Sequence, residues 1–194
     1  MFVCVGNNVR SAFAEFFFLK MLSQKNDGFG TELSVLSAGF VPQKLKEQLA
    51  QAQIGFPEPF FGRPMSESTQ IELFKRGIEV PMDWRSKELN PKTVGDADLI
   101  ITMLPEIREE LTHLFPEDQD KIFTLRDMSE WHGYFFVEDF APPPLNENYW
   151  HFVEEDPEFV SRMLQAVESS LVRAFPNVIR KLGSKSTPGS ETAH

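Results

Sequence analysis

The chain opens "MFVCVGNNVRSAFAEFFFLK", residues 1–20, and the alternation of textures in this stretch decides the fold. "MFVCV" is a short, β-rich apolar run, which suits only a buried strand. Gly6, Asn7 and Asn8 end it with residues that accept turn and left-handed backbone. From Ser11 the pattern changes period: Phe13, Phe16, Phe17, Leu19, Met21 and Leu22 recur at helical spacing without a glycine or proline. That spacing predicts a helix over 11–25.

The same alternation continues outward. Leu33 to Leu36 reads as a second strand closed by Ser37, Ala38 and Gly39. Residues 43–53 are predicted helical, 54–64 a Pro/Gly/aromatic loop, and 65–77 a helix with Ser66 or Ser68 as N-cap and Gly77 as its stop. "ADLIITM" (97–103) is a continuous apolar run suited to the middle of a parallel sheet. "PEIREELTHLF" opens with helix-start chemistry, "KIFTL" is a fourth strand, and residues 156–175 form a long amphipathic helix with Phe159, Met163, Val167 and Leu171 on one stripe. Alternating strand and helix predicts a three-layer α/β fold around a four-stranded parallel sheet. One domain is expected over 1–182, followed by a Ser/Thr/Gly-rich tail, 183–194, expected to be disordered.

Composition narrows the function. With 194 residues, 41% of them hydrophobic, there is material for one core. A net charge of −10 argues against a nucleic-acid partner. A single cysteine excludes an internal disulfide, a cysteine-built zinc site and a two-thiol relay within the chain. His113, His132, His151 and His194 share no ligand spacing, so no metal is expected. No apolar run approaches the roughly 20 residues of a membrane span, and the start lacks a secretory pattern. A cytoplasmic protein without membrane partners is expected.

In an open α/β sheet, ligands bind beyond the carboxyl ends of the strands. The turn Val5, Gly6, Asn7, Asn8, Val9 lies there, at the start of the first helix, where backbone N–H groups make an anion cradle. Arg10 adds a planar fork matched to two phosphate oxygens. The same positive field favours a thiolate at Cys4, aimed at whatever anion the loop holds. A lone cysteine after an apolar strand is more often an inert core residue, and a bare C-x₅-R match is weak. The whole context of strand, Gly-Asn-Asn turn, arginine and helix outweighs that, and it points to nucleophilic attack on phosphorus.

"FVCVGNNVRSAFAE" resembles the opening of the low-molecular-weight protein tyrosine phosphatases, V-C-x-G-N-x-x-R-S with A-E closing, and "SAGF", "KRGIEV", "DWRSKEL" and "ADLIITM" follow in the family's order. The resemblance implies a flavodoxin-like fold and hydrolysis of a phosphorylated protein or a small aryl phosphate ester, without cofactor. It implies Cys4 as nucleophile, Arg10 and the turn 5–9 as phosphate binders, Asn7 as loop former, Ser11 as stabiliser of the sulfur, and Ser37 as a lock on Asn7. The chain departs from the pattern in Val9, where many members carry a second cysteine, and in Ala12, where proline is usual. Leu104 replaces a common aspartate, and about 20 extra residues, roughly 41–62, follow the second strand.

The family's general acid is an Asp-Pro before the last helix, and two aspartates compete for that role. Asp156 keeps the dipeptide, yet Asp-Pro-Glu there is fully explained as a helix cap. Asp139 follows an apolar run at a fitting distance from "ITM", with Phe140 as a candidate wall for the site, and is preferred. Phe60 and Phe61 are read first as packing under the inserted loop, with stacking on an aromatic ester as the other reading. The rival functions are an arsenate reductase relying on an external thiol, and a phosphate- or phosphopeptide-binding module without catalysis.

Overall fold

The computed structural model describes residues 1–25, 33–130 and 145–183. Its four parallel strands are β1 (Phe2–Cys4), β2 (Ser37–Gly39), β3 (Ile100–Thr102) and β4 (Ile122–Thr124), ordered β2-β1-β3-β4. Side chains alternate across a strand. Phe2, Cys4, Ile101 and Met103 therefore face one apolar layer, while Val3, Val5, Ile100 and Ile122 face the other.

The first layer is closed by α1 (Arg10–Ser23), α3 (Glu67–Lys75), α6 (Leu125–Ser129) and α8 (Pro157–Gly183), with Phe13, Leu73, Met128 and Leu164 buried. The second holds α4 (Pro91–Asp96) and α5 (Pro105–Leu114), which contribute Val94, Ile107 and Leu111. Two further helices, α2 (Gln43–Gln51) and α7 (Tyr149–Glu155), stand near the carboxyl ends of the strands. The architecture is the three-layer α/β sandwich that the strand–helix alternation predicts, and it is of the flavodoxin-like kind that the family resemblance implies.

The second strand lies later than its hydrophobicity suggests. Residues 33–36 are irregular, and Ser37–Gly39 pair in register with Phe2–Cys4. Small residues occupy this position because Phe61 and the turn after β1 press on it. A β-carbon built on Gly39 would stand 2.4 Å from Phe61 Cε1, 2.8 Å from Val5 O and 3.2 Å from Asn7 N. Gly39→Ala is thus expected to cost about 1–3 kcal/mol in chemical denaturation, as overpacked sites do. It should also displace the turn after β1, because Val5 and Asn7 must give way together with the Phe61 ring.

Helix α8 continues past its expected end at Phe175, through Pro176 to Gly183. A proline inside a helix loses one hydrogen bond. Here buried Val178 and the bond from Asn177 Nδ2 to Met128 O (2.9 Å) hold the segment beyond it in place. The short helices α4, α6 and α7 were not expected. Asn90 and Thr124 each close a capping box at the start of α4 and α6, which lets such short helices form. As expected, Ser66 caps α3 and Gly77, at φ +67°, follows its end.

Candidate active site

Cys4 is the last residue of β1, and Arg10 is the first of α1. No side chain caps α1, so no cap takes the first-turn N–H groups that every helix leaves without an intrahelical acceptor. The turn between them depends on Asn7, which holds a left-handed backbone at φ 56° and is fully buried. Asparagine tolerates that conformation because its side chain replaces missing backbone contacts.

Asn7 does so with both ends. Its Nδ2 donates to Ser11 Oγ (3.0 Å) and Ser37 Oγ (2.7 Å), and its Oδ1 accepts from Lys87 N (2.7 Å). Ser37 Oγ in turn donates to Glu15 Oε2 at 2.5 Å. Burial raises the Glu15 pKa, and the Ser37 hydrogen bond opposes that shift. The chain ends at sulfur, with Cys4 Sγ 3.0 Å from Ser11 Oγ, and Ser11 Oγ also lies 3.3 Å from Ala38 O. A serine hydroxyl has one hydrogen. Facing a thiol, Ser11 can accept from sulfur and donate to Ala38. Facing a thiolate, it must donate to sulfur. The same side chain therefore serves both protonation states.

A cleft of about 550 Å³ opens beside this loop. Cys4, Gly6, Asn8 and Arg10 lie on its loop side. Leu45 and Gln48 of α2, Leu104, Arg126, and Tyr149 and Trp150 of α7 line the rest, with Phe159 and Met163. The inserted stretch thus contributes a wall through α2. Its aromatic residues pack instead. Trp150 has ring centroids 5.4 Å from Phe56 and 5.1 Å from Phe60, and its Nε1 donates to Gly55 O at 2.7 Å. Phe60 and Phe61 are 4.9 Å apart, and neither lines the cleft.

The carboxylates on the cleft, among the described residues, are Glu106 and Glu154. Glu154 is buried and receives both ends of Arg63, Nη1 at 3.0 Å and Nη2 at 2.9 Å. Tyr149 feels the charges at both sides of the cleft. Burial raises its pKa, Arg10 opposes the shift and Glu154 adds to it.

The structure gathers Cys4, Val5, Gly6, Asn8, Val9 and Arg10 on the cleft, and holds Asn7, Ser11 and Ser37 in the network beneath them. Asp139 and Phe140 lie outside the described residues. Asp156 is absent from the cleft lining, and its Oδ1 accepts from Phe159 N at 2.7 Å, as an N-cap does. Asp156→Ala is expected to lower stability by about 0.5–2 kcal/mol with turnover per folded molecule preserved, and Asp156→Asn should match wild type in both. Denaturation curves with parallel activity assays measure this pair. Reading the sequence missed Tyr149, Trp150, Arg126 and Glu154. Only the adjacent aromatic pair in "NENYW" hinted at a wall, and nothing local marked Glu154 as more than a solvated helix acid.

Among the described residues no helix is long and apolar enough to cross a membrane, and no group of three His, Cys, Asp or Glu is arranged to hold a metal ion. The family model described as low molecular weight phosphotyrosine protein phosphatase matches residues 1–139. No curated protein matches the sequence. Among solved structures, YwlE arginine phosphatase from Geobacillus stearothermophilus is similar at 22% identity and TM-score 0.61, over 100% of this chain and 96% of that one. The low molecular weight protein tyrosine phosphatase from T. tengcongensis is 24% identical at TM-score 0.61, over 95% and 96%. YfkJ from Bacillus subtilis is 21% identical at TM-score 0.63, over 96% and 94%. At these identities the likeness establishes a shared fold.

Proposed function

Because the chain belongs to the low molecular weight phosphotyrosine protein phosphatase family, a family of phosphatases acting on phosphorylated substrates, we propose that it hydrolyses aryl phosphate monoesters through a cysteinyl-phosphate intermediate. The observation that carries this reading is the hydrogen-bonded chain from Glu15 through Ser37, Asn7 and Ser11 to Cys4 Sγ, which fixes the loop and supplies a donor to the sulfur. Cys4 Sγ attacks phosphorus while Arg10 and the loop amides hold the non-bridging oxygens. The S–P bond forms as the bond to the leaving oxygen breaks, and Asp139 delivers the proton that oxygen needs. Water then attacks the thiophosphate, with Asp139 taking its proton, the S–P bond breaks, and phosphate and the Cys4 thiolate are released. The positive charge needed comes from amides and guanidinium, so no metal has a task in these steps.

The aromatic wall of Tyr149, Trp150 and Phe159 favours a phenolic ester over an aliphatic one. Phosphotyrosine in a protein fits, as does a small aryl phosphate. One structural neighbour is an arginine phosphatase, and a guanidinium substrate would call for a free carboxylate at the wall. Glu154 is already committed to Arg63, which leaves Glu106 as the described cleft carboxylate that such a substrate would have to use. Arsenate reduction would need a further thiol from outside the chain, whose single cysteine is Cys4. A free catalytic thiol also suits a reducing compartment, and we place the protein in the cytoplasm. The test is turnover of an aryl phosphate in chelator by wild type and Cys4→Ser. A metal requirement, or activity retained in the variant, would overturn the reading.

A further inference from the structure

The Arg63–Glu154 pair sits where a charge matters. A β-carbon built on Gly6 would lie 3.6 Å from Glu154 Oε1, so the carboxylate rests against the loop read here as the anion site. That loop has to attract a phosphate carrying negative charge. A bare carboxylate at its edge would repel the same ligand, and the low polarisability of a buried setting would leave the repulsion poorly screened. Arg63 directly follows the inserted stretch and is held from several sides. Its Nε donates to Phe60 O (3.1 Å), its guanidinium lies 5.5 Å from the Phe60 ring centroid, and its backbone N donates to Ser86 Oγ (3.2 Å). It is not itself on the cleft lining.

We propose that Arg63 is a positioning residue for phosphate: by occupying both oxygens of Glu154 it cancels a buried negative charge that touches the loop, and so the segment directly after the insertion is part of the anion site. The inference rests on reading Cys4–Arg10 as that site. The pair also ties that segment to α7, which presents Tyr149 and Trp150, so it sets the wall and the field together.

Calorimetric titration with inorganic phosphate tests this on the full chain, with no need for turnover. Arg63→Met should weaken phosphate binding by about ten-fold or more, the effect of one uncompensated nearby charge. Glu154→Gln should bind as tightly as wild type or tighter, since it leaves Arg63 as a free cation. The double variant should return to within about three-fold of wild type, because the two changes act on one interaction. A purely structural role predicts another pattern, in which both single variants weaken binding and the double variant is no better. That pattern, or unchanged affinity in Arg63→Met, overturns the inference. If Arg63→Met fails to fold, the other two variants decide: Glu154→Gln or the double variant weakened ten-fold counts against it. Wild-type protein without phosphate affinity would overturn the loop reading itself, and the inference with it.

Discussion

Cys4→Ser is expected to reduce hydrolysis of an aryl phosphate by about 10⁴-fold or more, the scale on which removing a nucleophile costs an enzyme that works through a covalent intermediate. The serine hydroxyl is nearly isosteric, so the loop should survive. Asn7, Ser37 and Glu15 make no contact that depends on the sulfur. What changes is the state of the attacking atom. Ser11 Oγ, 3.0 Å from Cys4 Sγ, can stabilise a thiolate by donating to it, but a serine at position 4 stays protonated at neutral pH and is a far weaker nucleophile. Phosphate affinity should therefore persist in the variant while turnover vanishes. Turnover surviving the substitution would remove Cys4 from the mechanism. Joint loss of turnover and of phosphate binding would show that the sulfur mainly supports the loop.

How much of this was legible from the chain depended on how far apart the cooperating residues lie. Cys4 to Ser11 is one contiguous stretch, and its strand, turn and helix are each specified by neighbours within a few positions. The Asn7 conformation could be anticipated because few residues accept a left-handed backbone. The second strand was misplaced by four residues because Leu33 to Leu36 carry more β-propensity than Ser37–Gly39. The sheet chose the later stretch since only small residues fit between Phe61 and the loop backbone at Gly39. Propensity loses to packing there. The wall of the cleft was least visible. Arg63 and Glu154 are 91 positions apart, and Trp150 reaches Gly55 across 95. Neither partner has a local signature, and "VEED" reads as a solvated acidic helix start until the fold buries its first glutamate against Arg63.

Asp139→Asn is expected to slow cleavage of phosphate esters by about 10²–10⁴-fold, the usual contribution of a placed general acid. The reasoning is about the leaving group. An alkoxide or ordinary phenolate is a strong base, and it departs far faster as the neutral alcohol or phenol. Asparagine can donate a hydrogen bond to that oxygen but cannot transfer a proton. A nitrophenolate leaves readily without one, so the loss should shrink toward the lower end for such a substrate. The dependence of rate on leaving-group basicity should become steeper in the variant than in wild type. Steady-state rates on a series of substituted phenyl phosphates measure that slope directly. The second half of the reaction adds a check, because the same carboxylate is proposed to deprotonate water. A variant that still forms the thiophosphate from a good leaving group should therefore release phosphate more slowly, and the intermediate should accumulate as a burst of phenol. An unchanged slope with full activity on poor leaving groups would take Asp139 out of the mechanism. The cleft then offers Glu106 as the next carboxylate to test, since both oxygens of Glu154 are held by Arg63 and have no lone role left to play toward the leaving oxygen.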